Sequence, residues 1–298
     1  MIREAAKCLF TAFLLTLGLV PIVTGCSKKA TPPIKAELEE HKDKQGTPQV
    51  GGLAMLPAFL CGCFFSFSDE ISKIYIIAAI LFAFIGFVDD FLKIRKKSSD
   101  GLKSISKLLM QIVSSCIISY MVRNNVGLYQ DYPAWIYYLG SVIYISAIIN
   151  AANIVDGLDS LCIKSTVPPL IFISLTFTQA GHYPLIMASV LLAFLFYNSK
   201  KATIFMGDCG AHLVGAVLAT SSLLSGRPFV VLISMLVILL DMLSSLIQII
   251  SIRGFHKKVF LIAPLHHSFQ KKGMSEEKIA DRFLSLSCLS TMICSLLL

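Results

Sequence analysis

Apolar runs about as long as a bilayer is thick recur along the whole chain, and nothing else constrains its fold as strongly. Ten candidate spans can be read, at 6–25, 50–67, 71–91, 105–122, 135–152, 161–179, 183–197, 209–225, 229–252 and 283–298. A helix needs about 20 predominantly apolar residues to cross the hydrocarbon core. Inside that core every backbone polar group must find its partner within the protein, which a helix achieves by itself. Composition agrees: 55% of the 298 residues are hydrophobic and 15% are charged, whereas a soluble domain carries about 25% charged residues. The expectation is an all-α, polytopic integral membrane protein of about ten transmembrane helices, one domain over 1–298.

The net charge of +8 resembles a nucleic-acid signal. Its Lys and Arg lie between apolar runs, however, so loop anchoring accounts for them and no nucleic acid is expected. One set of alternating loops holds Lys28, Lys29, Lys35, Lys42, Lys44, the cluster after Asp90, Lys164, Lys200, Lys201, Arg253, Lys257, Lys258, Lys271, Lys272, Lys278 and Arg282. The other set holds only Arg3, Lys7, Lys73, Arg123 and Arg227. Cytoplasmic loops carry the excess of Lys and Arg, so the first set faces the cytoplasm and both termini face the periplasm. The nine cysteines are scattered through apolar segments and read as small packing residues, not a disulfide or zinc framework. Val23-Thr24-Gly25-Cys26 resembles a lipoprotein cleavage signal. Cleavage there would put the basic loop that follows outside the cell, so an uncut first span is the better reading.

Polar clusters stand at the ends of these runs. The run from Ile71 to Val88 ends in Asp89-Asp90, followed at once by Lys93, Arg95, Lys96, Lys97, Lys103 and Lys107. Carboxylates beside many cations at a helix mouth suit a place where a metal ion and phosphates meet; a solvated helix end with anchoring lysines is the plain alternative. In His41-Lys42-Asp43-Lys44-Gln45-Gly46-Thr47-Pro48-Gln49-Val50-Gly51-Gly52 the glycines and the proline shape a loop, and Lys44 and Thr47 suit phosphate oxygens. Asn153, Asp156 and Asp159 recur every third residue, a spacing that puts them on one face if the helix continues. Asn-Ile-Val-Asp-Gly reads equally as an inter-helix turn. Asp208 lies between glycines in Phe205-Met206-Gly207-Asp208-Cys209-Gly210, where backbone can approach a ligand or the carboxylate can cap a helix. Ala263-Pro264-Leu265-His266-His267-Ser268 has too few ligands for zinc, so phosphate binding or acid–base work fits better. Asp241 and Gln248 lie mid-span on one helical face and must point into the bundle. His182 and His212 read as packed or interfacial histidines.

Each cluster is weak alone. Five on one side make a cytoplasmic site that works on a phosphorylated substrate beside the bilayer. An ion-coupled transporter, with the aspartates as an ion path, is the rival reading. Transporter sites tend to lie at the midplane in repeated, broken helices, whereas these carboxylates are terminal and no repeat is visible. A membrane scaffold would leave the convergence of polar groups unexplained.

These motifs, in this order over residues about 41–282, resemble the polyprenyl-phosphate hexosamine-1-phosphate transferase family. The match rests on His41…Lys44…Gly46-Thr47-Pro48…Gly51-Gly52, Gly86-Phe87-Val88-Asp89-Asp90…Lys93, Asn153…Asp156-Gly157-Leu158-Asp159, Asn198…Phe205-Met206-Gly207-Asp208 and Ala263-Pro264-Leu265-His266-His267. Lys258-Val259-Phe260 and Lys272-Gly273 look like the muramoyl branch. The resemblance implies transfer of phospho-MurNAc-pentapeptide from its UDP carrier to undecaprenyl phosphate, with Mg²⁺, at the cytoplasmic face of a bacterial inner membrane. The sister reaction on UDP-GlcNAc is the alternative. It leaves the oligomeric state open, with a homodimer among the options. By the same resemblance, Asp208, Asp89 and Asp90 would be metal ligands, Asp89 a candidate base, and Asp89, Asp90, Asp208 and His266 the catalytic set. Lys44, Thr47, Lys93 and Lys107 would meet phosphates. Asn153, Asp156, Asp159, Asn198 and Phe205 would hold uridine and ribose, with Phe205 stacking. Gln248 and His267 would contact other parts of the substrate. The sequence departs from the family pattern at Ser268, where the family has a third histidine, and at Cys209, Asp241 and Ser160, where it has Thr, Glu and Gly.

Overall fold

The computed structural model describes residues 2–27, 46–64 and 69–298. Lys44 and His41 lie outside the described residues. Within them the elements are α1 (Ile2–Ser27), α2 (Gly52–Phe64), α3 (Glu70–Lys96), α4 (Ser104–Asn124), α5 (Ala134–Val155), α6 (Leu161–Thr176), a 3₁₀ turn at Thr178–Ala180, α7 (Tyr183–Asn198), α8 (Gly207–Leu224), α9 (Pro228–Ser234), α10 (Leu236–Phe255), α11 (Leu265–Lys271) and α12 (Glu276–Leu296). Among the described residues, each apolar run read from the sequence falls largely on helix. Six helices, including α3, α4 and α5, are long and apolar enough to cross a membrane, and α2, α6 and α7 are shorter apolar helices.

Two boundaries differ from expectation. The run 229–252 is broken at Met235 into α9 and α10. The Ser234 carbonyl accepts from Ser290 Oγ of α12, so the chain turns there onto its neighbour. The Asn153–Asp159 segment is not one helical face. The α5 helix stops at Val155, and Asp156 and Gly157 form a turn that ends at Ser160 in the left-handed region (φ 61°). The three polar residues therefore spread over a helix end and a loop.

The core is organised around α8, which is buried from Cys209 to Leu224. The α3, α5 and α2 helices pack against it. Gly86 makes the α3 contact close: a Cβ there would lie 2.2 Å from the Asp208 carbonyl oxygen. At the start of α8 the backbone is held by the 46–52 loop, through Phe205 N–H to Pro48 O (2.8 Å), Gly51 N–H to Phe205 O (2.9 Å) and Gly52 N–H to Met206 O (2.9 Å). Two segments distant in sequence thus fix where Asp208 begins its helix.

Candidate active site

The end of α3 and the start of α8 bring Asp89, Asp90 and Asp208 together, with ligand oxygens within 4.8 Å of one another. Asp89 and Asp90 are buried, at 4% and 5% exposure. Buried carboxylates need partners, and each has a different one. Asp90 spends both oxygens on the α8 N-terminus: Oδ1 accepts from Asp208 N–H (3.2 Å) and Oδ2 from Cys209 N–H (2.9 Å). The first N–H groups of a helix have no intrahelical acceptor, and the dipole there favours an anion. Asp90 therefore anchors α8. Gly207, in the left-handed region at φ 68°, lets the chain pass: a Cβ there would stand 2.7 Å from Asp90 Oδ2.

Asp89 and Asp208 face inward onto cations. Lys93 Nζ lies 2.6 Å from Asp89 Oδ2, 3.1 Å from Asp208 Oδ2 and 3.7 Å from Asp90 Oδ1. Lys107 Nζ, from α4, lies 2.6 Å from Asp208 Oδ2. Asn153 Nδ2 donates to Asp208 Oδ1 at 3.0 Å. The loop after α3 folds back so that Leu102 N–H donates to Asp89 Oδ1 (2.8 Å). The Lys93 ammonium thus sits among three carboxylates, the donor set a divalent ion would take. Hard oxygen ligands with few carboxylates suit Mg²⁺, so the residues fit that ion, with Asp89 and Asp208 having the freer oxygens.

This cluster opens into a cavity of about 670 Å³, lined among others by Lys93, Lys96, Lys103, Lys107, Asn150 and Asn153. Four ammonium groups and the carboxylates of Asp89, Asp100 and Asp208 line it, a set whose excess positive charge suits phosphate groups.

Other expected site residues lie elsewhere. Asn198 is buried and clamps two loops, accepting from Ser160 N–H (3.1 Å) and donating to Ile204 O (3.0 Å). Asp159 Oδ2 accepts from Ala202 N–H (3.1 Å). Asp159, Thr47 and Lys164 line a second polar cavity of about 870 Å³ between the 156–160, 199–202 and 275–277 segments. Asp156 stands half-buried at the end of α5. Phe205 is half-buried in the strap leading to α8, its backbone held by Pro48 and Gly51. Gln248 is engaged with the loop backbone: its Oε1 accepts from Val259 and Phe260 N–H, and its Nε2 donates to Phe260 O.

His266 is fully buried. Its Nδ1 lies 2.6 Å from Asp241 Oδ2, and its backbone N–H donates to Asp241 Oδ1 at 3.1 Å. Its Nε2 has no hydrogen-bond partner among the described residues and faces Gly157, where a Cβ would come within 2.5 Å. His266 is thus placed against the 156–160 turn and does not line the cavity beside Asp208. His267 Nδ1 contacts Gln270 Oε1 at 3.1 Å. Ser268 Oγ bonds the backbone of Ile262 on both sides, folding the loop onto α11.

Sequence reasoning missed three residues. His212 is buried, with Nδ1 2.8 Å from the Asp208 carbonyl and Nε2 3.2 Å from Gln111 Nε2. Asn150 Nδ2 donates to Gln111 Oε1 at 2.9 Å. The signal was available: Gln111, His212 and Asn150 stand four, four and three residues from Lys107, Asp208 and Asn153, on the same helical faces.

Comparison with known proteins shows the family to which the chain belongs. A glycosyl transferase family 4 pattern covers residues 72–226. The chain is 35% identical to a phospho-N-acetylmuramoyl-pentapeptide-transferase of Petrotoga mobilis, over 85% of this chain and 84% of that protein. It is 33% identical to the protein of that name from Thermotoga maritima, over 94% and 95%. It is 29% identical to that from Helicobacter pylori, over 95% and 90%.

Proposed function

Because the chain belongs to glycosyl transferase family 4, alongside the phospho-N-acetylmuramoyl-pentapeptide-transferases, we propose that it moves phospho-MurNAc-pentapeptide from UDP-MurNAc-pentapeptide to undecaprenyl phosphate. The products are UMP and a lipid-linked diphosphate, the first membrane-bound peptidoglycan precursor. The observation that carries this reading is the pair of inward carboxylates, Asp89 and Asp208, beside Lys93 and Lys107 at the rim of a cavity rich in lysine.

A lipid phosphate oxygen attacks the sugar-linked phosphorus. A new P–O bond forms, the diphosphate bridge to the uridylyl phosphorus breaks, and the electron pair leaves with UMP. Phosphoryl transfer of this kind needs positioning and charge neutralisation above all. Lys93, Lys96, Lys103 and Lys107 supply the positive field around the incoming phosphates. Asp208 and Asp89 would hold Mg²⁺, which when bound draws phosphate oxygens together and offsets their charge. Lys93, now paired with both carboxylates, would then turn to phosphate. Asp89 is also the candidate base, although a phosphate monoester with a second pKa near 6 is already largely ionised at pH 7. Asn153 steadies Asp208 while lying one turn from the 156–160 loop; Asp156 and Asp159 of that loop, with Phe205 from the strap before α8, are the candidates for uridine and ribose. The Nε2 of His266 is buried against Gly157, so His266 would act by shaping the 156–160 turn.

The topology that goes with this chemistry has ten membrane passes, both termini in the periplasm and the site facing the cytoplasm of a bacterial inner membrane. The Lys/Arg asymmetry of the loops supports it. Substrate choice would lie with the loop 253–282. Lys271 and Lys272 are exposed there, and positive charge favours the carboxylates of a peptide arm.

The test is UMP release by the purified chain with undecaprenyl phosphate, Mg²⁺ and either nucleotide sugar. Turnover with UDP-MurNAc-pentapeptide and little with UDP-GlcNAc is expected. Equal or faster use of UDP-GlcNAc would assign the chain to the sister reaction, and no UMP from either would overturn the transferase reading.

A further inference from the structure

Besides α3, three helices supply the cluster around Asp208, and each of these three supplies a second polar residue one turn deeper. The α4 helix carries Lys107 and Gln111, α5 carries Asn153 and Asn150, and α8 carries Asp208 and His212. The outer tier is Lys107–Asp208–Asn153, with contacts of 2.6 and 3.0 Å. The inner tier is Gln111–His212 with Gln111–Asn150, with contacts of 3.2 and 2.9 Å. Gln111 is 1% exposed and His212 fully buried.

The inner tier has one consistent pattern of donors. The Asp208 carbonyl only accepts, so His212 Nδ1 carries the proton. Nε2 is then an acceptor and takes an N–H of Gln111. That choice turns the Gln111 carbonyl toward Asn150 Nδ2, and Asn150 Nδ2 also donates to Ser146 O within α5 (2.8 Å). The Gln111 amide Nε2 and Asn150 Oδ1 stand 3.4 Å apart, completing a reciprocal amide pair. Each side chain has its orientation dictated by the next, from the α5 backbone to the carbonyl of Asp208 itself. Between helices, a buried polar network that is fully satisfied selects one arrangement, and an apolar contact allows sliding and rotation.

We infer that Gln111, Asn150 and His212 are positioning residues, which set the rotation of α4, α5 and α8 so that Lys107 and Asn153 meet the Asp208 carboxylate. Gly86 backs the same carbonyl from the α3 side, so Asp208 is held between a polar tier and a close backbone contact. The consequence is local: loss of the inner tier loosens the cation site before it loosens the fold. Partners that orient metal-binding carboxylates are worth roughly 10–100-fold in metal affinity or activity.

This inference rests on the divalent-ion reading above, and the test separates the two. Mn²⁺ binding to the full-length protein in detergent is followed by EPR, with thermal unfolding measured on the same samples. The variants are Asp208→Asn, Gln111→Met, His212→Leu, the double Gln111→Met/His212→Leu, and His212→Gln, whose amide can both donate to the Asp208 carbonyl and accept from Gln111. Wild type binds Mn²⁺ and Asp208→Asn does not; equal binding by these two sinks the metal reading itself. Given that difference, Gln111→Met and His212→Leu each weaken Mn²⁺ binding roughly 10-fold or more. The double variant is then no worse than the weaker single, because the tier acts as one unit. His212→Gln recovers most of the loss. Mn²⁺ affinity equal to wild type in both single variants, or losses that simply add, overturns the inference and leaves ordinary packing. Where an apolar variant fails to fold, His212→Gln decides: retained affinity supports the tier, and loss of affinity in a folded protein refutes it.

Discussion

Lys107 and Arg123 stand at opposite ends of α4, about 24 Å apart at 1.5 Å per residue, and the protein treats these two cations in opposite ways. Lys107 is paired with a carboxylate beside a lysine-lined cavity of about 670 Å³. Among the described residues Arg123 has no ion-pair partner. Its guanidinium donates to the carbonyls of Tyr129 (2.7 Å) and Tyr132 (2.9 Å) and lies 5.3 Å from the centre of the Tyr137 ring. Around it the tyrosines spend their hydroxyls on backbone: Tyr129 on Leu223 O (2.6 Å), Tyr137 on Ser119 O (3.0 Å) and Tyr144 on Pro228 O (2.9 Å). Burial pushes the Tyr129 phenol above its ordinary range, which keeps it a donor. The cavity at this end is about 340 Å³, and Tyr129, Tyr132, Tyr137, Tyr144 and Phe229 stand among its walls. The Lys107 end holds its charges in pairs that a phosphate or a cation can exchange. The Arg123 end commits its guanidinium and the Tyr129, Tyr137 and Tyr144 hydroxyls to backbone carbonyls.

The largest break in this comparison comes from Asp208→Asn. Removing its charge leaves Lys93 and Lys107 facing a neutral amide and removes the centre of the cluster. UMP release falls at least about 100-fold, the scale of losing a preorganised charge at a reacting centre, while unfolding temperature changes little. Turnover near that of wild type at saturating Mg²⁺ would show that the carboxylate is not central.

Asp90→Asn sharpens the same contrast, because the two neighbouring aspartates do different work. Asp90 accepts from two N–H groups at the α8 N-terminus. An asparagine retains one acceptor and turns an NH₂ toward the other donor. The expected cost is roughly 1–3 kcal/mol of stability, together with a fall in kcat of about 10-fold as Asp208 shifts. Thermal unfolding and UMP release on one preparation check both. A loss of turnover with no change in unfolding temperature would make Asp90 a direct participant instead of an anchor.

The anchoring role of Asp90 was invisible in the sequence, where both aspartates read as metal ligands and Asp89 also as the candidate base. Periodicity within one helix can be counted from residue spacing, and so the spans, the α3 carboxylates and the lysines after them were legible. Which side chain meets which across helices depends on rotation and depth, as with Asp241 and His266, 25 residues apart. Both were singled out, but nothing in their spacing pairs them. The Asn153–Asp159 spacing misled for a local reason: helix periodicity assumes that the helix continues, and the Asp156-Gly157 turn ends it. His212 lacked a visible partner because its partner is an amide on α4, 101 residues away.

The smallest effect on chemistry is expected at the other end of α4, from Arg123→Leu. The leucine keeps part of the apolar stem but leaves the Tyr129 and Tyr132 carbonyls without the donor they now share a cage with. Hydrogen bonds to a charged donor are worth about 1.5–3 kcal/mol each way of counting, and the contact with the Tyr137 ring is lost as well. Stability should therefore drop by a few kcal/mol at most, visible as a lower unfolding temperature and earlier proteolysis in the 125–133 loop. Because the site lies a full helix length away and shares no partner with Arg123, kcat should stay within about twofold of wild type. The two ends are then energetically separate, as their contacts suggest. A fall in kcat comparable to that of Asp208→Asn, in protein that remains folded, would mean that α4 transmits the state of the aromatic end to Lys107, and the contrast drawn between the two ends would not stand.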